Sequence, residues 1–176
     1  TCVIALYRLH WQGDSRFEDT VAAMTVLIRE GKILSWGVSN MDVEEIEQIF
    51  ALDQCKTCAA NEILYNLSRR GVEFDLLPWC AQNGVPVIAY SPIEQGRILS
   101  NKTLSLVAER HNATPAQIAL AWVLKRPGLV AIPNAGSVAH VKENAKSLKI
   151  RLTDEDMVML DNTYPAPKRK IPLEVL

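Results

Sequence analysis

Three short stretches of this chain end apolar runs in polar side chains: Leu9-His10-Trp11, Gly37-Val38-Ser39-Asn40 and Ala89-Tyr90-Ser91-Pro92. An imidazole exchanges protons near neutrality, and hydroxyls and carboxamides both donate and accept hydrogen bonds, so each stretch could hold a small polar ligand. In a β/α barrel the C-terminal tips of the strands carry the loops that build the active site, so polar groups there read as a site rather than as packing. Singly the signals are weak, because a lone histidine is more often structural and a Ser-Asn pair after a strand often only makes a turn. Cys55-Lys56-Thr57-Cys58 has the spacing of a redox or half-zinc site. No second pair or nearby histidine completes a metal set, so it reads as a loop coincidence and no metal is expected.

The elements that must carry these tips alternate short apolar runs with longer helical patterns, the sign of parallel strands joined by crossover helices. Val3 to Leu9, Ile33 to Val38, Ala59 to Tyr65, Val85 to Ala89 and Leu129 to Ile132 read as five strands. Between them lies a helix with Phe17, Val21, Met24 and Ile28 on one side, stopped by Gly31, and a second begun by Asp42 with Glu45. A third runs through Leu76, Leu77, Cys80 and Ala81 to Gly84, and further helices are expected at about Leu104 to His111 and Val138 to Leu148. Thr114, Pro115 and Gln117 mark the start of the helix reaching Lys125, and Thr153 to Asp156 opens the last one. The pattern predicts an α/β fold: a partial (β/α)8 barrel of about five parallel strands with their helices, as one domain over residues 1–176. An open doubly wound sheet would show a Gly-rich turn after its first strand, and His10-Trp11-Gln12-Gly13 is not one.

The chain has 176 residues, 48% hydrophobic and 22% charged, enough for a sizeable core. A net charge of -1 excludes a nucleic-acid footprint, and the one basic run, Lys168-Arg169-Lys170, reads as a solvated tail. Cys2 to Tyr7 is too short to span a bilayer and no basic region precedes it, so no membrane partner is expected. Four cysteines without a small secreted framework fit a reducing compartment, and the cytoplasm is expected.

With these motifs in view, and with Glu30-Gly31-Lys32-Ile33, Ala113-Thr114-Pro115-Ala116-Gln117 and Ala131-Ile132-Pro133 following in order, the chain resembles the aldo-keto reductases. The resemblance runs from the middle of that barrel's fourth strand to the family's C-terminal tail, so the five strands are expected to be barrel strands 4 to 8. It implies NAD(P)H-dependent reduction of aldehydes or ketones to alcohols. His10 matches the histidine that hydrogen-bonds the substrate carbonyl oxygen, and Trp11 a residue of the substrate pocket. Tyr90 matches the ring that stacks on the nicotinamide, and Ser39 and Asn40 the side chains that hold its carboxamide. Ser91, Ile93 and Gln95 lie in the loop along the pyrophosphate, Ser137 could cap the next helix, and Glu143 and Asn144 match adenine contacts.

Several residues depart from the family pattern. Asn134 and His140 stand where many members carry cations toward the ribose 2′-phosphate, so NADPH is the first choice of cofactor and NADH a close second. Glu62 stands at the glutamine that reads the carboxamide; a carboxylate accepts from the amide NH₂ but cannot donate to its carbonyl, and weaker cofactor binding is expected. Arg8 replaces an apolar residue and, by alternation, shares a side with Leu6 and His10, leaving a charge near the core unless something pairs it. The family's acid tyrosine, with its lysine and aspartate, precedes the fourth strand, so the chain alone is expected to be inactive. Self-association through exposed sheet edges is also expected. The rival reading is a non-catalytic barrel remnant that binds a dinucleotide weakly or acts as an interaction module, favoured by Arg8, Glu62 and Asn134. A third is another barrel enzyme of phosphorylated metabolites.

Overall fold

A computed structural model of the chain describes residues 3–52 and 57–176. The elements are β1 (Ile4–Leu9), α1 (Phe17–Arg29), β2 (Ile33–Ser39), α2 (Val43–Leu52), β3 (Cys58–Leu64), α3 (Leu76–Asn83), β4 (Val87–Tyr90), α4 (Lys102–Arg110), α5 (Pro115–Leu124), β5 (Leu129–Ile132), α6 (Val138–Lys146) and α7 (Asp154–Thr163). The strands make one parallel sheet in chain order, β1-β2-β3-β4-β5, as the alternation of elements implied.

Alternation along the strands divides the sheet into two faces. Trp36, Val38, Ile63, Val87 and Ala89 lie at most 1% exposed in the core with Ile46, Ile49, Ile118 and Trp122 of the helices. The other face carries Leu6, Arg8 and His10 from β1 and its end, and Ser39 from β2, around one cleft. Local chemistry starts the helices where the sequence placed them. Asp42 accepts from the Val43 N–H while Glu45 accepts from the Asp42 N–H, both at 2.8 Å. Thr114 and Gln117 close a complete capping box with Pro115 behind the cap.

Most boundaries shift from expectation by a single residue, as in β3, which runs Cys58–Leu64 rather than Ala59 to Tyr65; two larger shifts and one tail have a physical reason. β4 begins at Val87 rather than Val85, because Pro86 has no N–H to give the ladder; its carbonyl still accepts from Asn61 at 3.1 Å. The helix expected to reach Leu148 ends at Lys146 and tightens into a 3-10 turn over Ser147–Lys149. The basic run near the C-terminus is not wholly solvated: Lys170 bridges Asp42 at 3.1 Å and Asp75 at 2.9 Å, pinning the tail to the residues that start α2 and α3.

α7 is fixed by a buried carboxylate. Asp156 is fully buried, caps its helix with Thr153, and stands 2.7 Å from His111 Nε2 and 3.3 Å from Arg110 Nε. Burial opposes its charge, yet hydrogen bonds from His111 and Thr153 hold its carboxyl below the usual range. A depressed folded-state value stabilises the fold above the unfolded carboxyl's range, about pH 4, and is lost as pH falls through the folded value. Urea midpoints measured between pH 6 and pH 2.5 should therefore fall with acid, and less steeply in Asp156→Asn. Equal slopes in the two proteins would remove Asp156 from the acid response.

Candidate active site

The side of β1 that carries Leu6, Arg8 and His10 faces Ser39 across a cleft of about 290 Å³. His10 is exposed at the strand tip, and its ring lies 5.6 Å from that of Trp11, itself 49% exposed. The charge at Arg8 has a partner. Its Nη2 stands 2.7 Å from Glu62 Oε2 of β3, so the two off-pattern residues form an ion pair across the intervening β2. Gly37, the register partner of Arg8, puts no side chain in the way. A Cβ there would meet the Ala60 carbonyl at 2.8 Å, so the close approach of β2 and β3 also requires glycine.

Around this pair the ends of β2, β3 and β4 are tied by hydrogen bonds. The Ser39 hydroxyl donates to the Glu62 carbonyl at 3.1 Å, and the Asn40 N–H donates to the same carbonyl at 2.9 Å. Asn40 sits in the left-handed region, with φ of 56°; its Nδ2 donates to Ser39 Oγ, and its Oδ1 accepts from the Tyr90 hydroxyl at 2.9 Å. Burial and the nearby Glu62 charge push the Tyr90 phenol up, so it stays protonated and donating. The chain Tyr90–Asn40–Ser39 thus connects the phenol ring to the cleft that His10 lines.

The segment after β4 holds an arrangement that sequence reasoning missed. Ser91, Glu94 and Gln95 all have φ between 47° and 54°, a region costly for residues with a Cβ. Glu94, 4% exposed, holds the loop in this shape by accepting from Asn66 Nδ2 at 2.7 Å and Arg69 Nη2 at 3.0 Å, while Asn66 Nδ2 also donates to the Ser91 carbonyl. Burial opposes the charge on Glu94, but Arg69 and Asn66 keep its carboxyl below the usual range. Ile93 is half-buried and Gln95 exposed. The available signal was the pairing of Asn66 and Arg69 in one strand-end loop with a lone carboxylate in the next.

Asn134, Ser137 and His140 are exposed, and Ser137 Oγ accepts from the His140 N–H at 3.2 Å, capping α6. Glu143 is turned toward α5, its Oε1 accepting from Thr114 Oγ1 at 2.7 Å and its carbonyl from Gln117 Nε2. Asn144 is half-buried beside it. Among the described residues no three His, Cys, Asp or Glu gather as metal ligands. Cys55 of the Cys-x-x-Cys motif lies outside them, Cys58 is buried, and burial pushes the Cys80 thiol up to about 12. No helix among the described residues is long and apolar enough to cross a membrane.

Five parallel strands in chain order, joined by helices and carrying polar groups at their C-terminal tips, are the arrangement of part of a β/α barrel. The Aldo/keto reductase family model matches residues 3–165, and the chain belongs to that family. The match takes in the chain's start and gives no support to the narrower expectation of a C-terminal part. A methylglyoxal reductase of Escherichia coli, YeaE, is 46% identical over 181 residues, covering 100% of this chain and 64% of that protein. A glyoxal reductase of Bacillus subtilis is 34% identical, covering 89% of this chain and 55% of its own length. An aldo-keto reductase from Klebsiella pneumoniae, solved in complex with NADPH, superposes with a TM-score of 0.97 at 42% identity, over 100% of this chain and 64% of that one. The chain therefore spans less than two thirds of the length of these relatives.

Proposed function

We propose that the strand-tip cleft belongs to a reductase of small aldehydes or ketones that uses NADPH, with NADH the close alternative. The observation that carries the reading is the cleft that His10 and Ser39 line together, joined to Tyr90 by the hydrogen-bond chain Ser39–Asn40–Tyr90. The order of the strand-tip motifs supports reading β1 to β5 as strands 4 to 8 of the family barrel, within one domain over residues 1–176. The names of the two relatives, a methylglyoxal and a glyoxal reductase, support a small oxo-aldehyde as the substrate class.

The residues present suit a nicotinamide dinucleotide. Tyr90 offers a half-buried ring for stacking, Ser39 and Asn40 border it, and the shaped loop through Ser91, Ile93 and Gln95 follows directly. Ser137 starts α6, where helix N–H groups favour an anion, with Asn134 and His140 alongside and Glu143 and Asn144 further along. Asn134 and His140 give no fixed positive charge there, so discrimination between the two cofactors is expected to be small. When bound, the dinucleotide supplies the hydride. His10 orients the carbonyl by hydrogen bonding its oxygen and stabilises the negative charge that gathers there, while Trp11 forms an apolar wall.

Tyr7 does not serve as the proton donor on this reading: three residues before His10, it points to the other face of β1. The non-catalytic alternative drew on Arg8, Glu62 and Asn134, and the pairing of the first two at 2.7 Å gives both charges a partner, which favours the reductase reading. The reading places the protein in the cytoplasm, where a buried thiol such as Cys80 stays reduced. The unpaired outer edges of β1 and β5 remain routes to self-association. Titrating NADPH against tryptophan fluorescence tests the cofactor claim, because the Trp11 ring lies 5.6 Å from that of His10, which lines the cleft. Saturable quenching below millimolar concentration is expected, and no response up to millimolar would reject it.

A further inference from the structure

The ion pair between β1 and β3 supplies, side by side, the two things a primary amide requires. Glu62 gives Oε2 to Arg8 and keeps Oε1, and Arg8 gives one Nη to Glu62 and keeps further N–H donors. Neither remaining set has a partner among the described residues. A carboxamide presents an NH₂ that needs an acceptor and a carbonyl oxygen that needs a donor. Glu62 alone would satisfy the first and repel the second. With Arg8 attached to it, the pair presents acceptor and donor together, as a glutamine side chain does, at the strand-tip end of the sheet and beside the cleft that His10 and Ser39 share.

We infer that Arg8 and Glu62 act as one unit that reads the carboxamide of the bound nicotinamide, Glu62 accepting from its NH₂ and Arg8 donating to its oxygen. The assignment rests on the reading of the cleft as a nicotinamide site. It replaces the expectation of weakened binding with a specific division of labour. The pair is formally neutral, so it adds no net charge beneath the ring, and Gly37 opposite Arg8 leaves the guanidinium its path across β2. Arg8 lines the cleft and its side chain is 38% exposed, against 13% for Glu62 behind it.

The experiment compares binding of NADP with that of its 3-acetylpyridine analogue, which keeps the carbonyl oxygen and lacks the NH₂. Affinities are read by tryptophan fluorescence. Wild type should favour the carboxamide by about fivefold or more, the worth of one hydrogen bond. Glu62→Ala should bring that preference close to one. Arg8→Leu should weaken both nucleotides by about tenfold, because a carboxylate is left facing the carbonyl oxygen. Arg8→Leu with Glu62→Gln should return affinity and preference to within about threefold of wild type, a rescue that a purely structural ion pair would not produce. Unchanged affinity in Arg8→Leu, or a preference surviving in Glu62→Ala, overturns the inference. Wild type binding neither nucleotide rejects the nicotinamide reading itself, and the inference with it.

Discussion

His10→Ala, in any form of the protein that turns over a carbonyl substrate, is expected to lower kcat by about 10² to 10³ while leaving the Kd for NADPH within about twofold. Hydride delivery to a carbonyl carbon drives negative charge onto its oxygen, and a donor fixed at that point stabilises the transition state more than the substrate. His10 is suited to this by position: it extends β1 past its last ladder pair, Leu9 with Val38, and faces the cleft shared with Ser39. Its ring lies beside Trp11 rather than on a charged partner, so the ring N–H is left for a ligand. The dinucleotide-facing groups, Tyr90 and Asn40, bond to each other and not to His10, which is why cofactor affinity should survive the substitution. His10→Gln, which retains an N–H, should recover part of the loss. Steady-state kinetics with a small oxo-aldehyde and a parallel fluorescence titration separate the two effects. A kcat within threefold of wild type in His10→Ala would remove the imidazole from the reaction.

What sequence conveyed well was local. Thr114, Pro115 and Gln117 sit within four residues, and the capping box they form depends on nothing distant, so its position was legible. The same holds for Asp42 with Glu45 and for Thr153 with Asp156. The buried stripe of α1, Phe17, Val21 and Met24, likewise follows from helical period alone. Interactions between distant segments were not legible. Arg8 and Glu62 each stood out as a charge where an apolar or amide group was expected, but nothing in linear order says that a side chain of β1 reaches over β2 to β3. The loop after β4 escaped for another reason: Ser, Glu and Gln seldom take positive φ, and they do so here because a buried carboxylate is held by Asn66 and Arg69 from the preceding strand's loop. Lys170 reads as solvated in a basic tail, and only the fold brings Asp42 and Asp75 under it.

The adjacent arginines after β3 divide their work, and the second governs stability. Arg69 turns to the loop after β4, whereas Arg70, 7% exposed, turns inward. Its Nε and Nη2 meet both oxygens of Glu73 at 2.9 Å, and its Nη1 meets Asp161 at 2.6 Å and the Tyr164 carbonyl at the end of α7. Its guanidinium carbon also lies 5.0 Å from the centre of the Trp122 ring. Glu73 is equally buried and accepts from Arg126 at 2.7 Å and from the Tyr65 hydroxyl at 2.8 Å, a phenol that burial keeps fully protonated. Desolvation makes such a cluster costly to assemble but more costly to break, because each deleted partner strands a charge away from water. Arg70→Ala should therefore destabilise the fold by about 3 to 5 kcal/mol, seen as a lower urea midpoint with an unchanged slope. Glu73 would keep Arg126, which is 41% exposed and competes with solvent, so it compensates little. Removing both charges together, Arg70→Met with Glu73→Leu, should cost less than the sum of the single changes, since no unpaired partner is left between them. If Arg70→Ala unfolds within about 1 kcal/mol of wild type, the cluster does not anchor α7, and the tail that follows must be held chiefly by Lys170 and by Arg69 through Glu174.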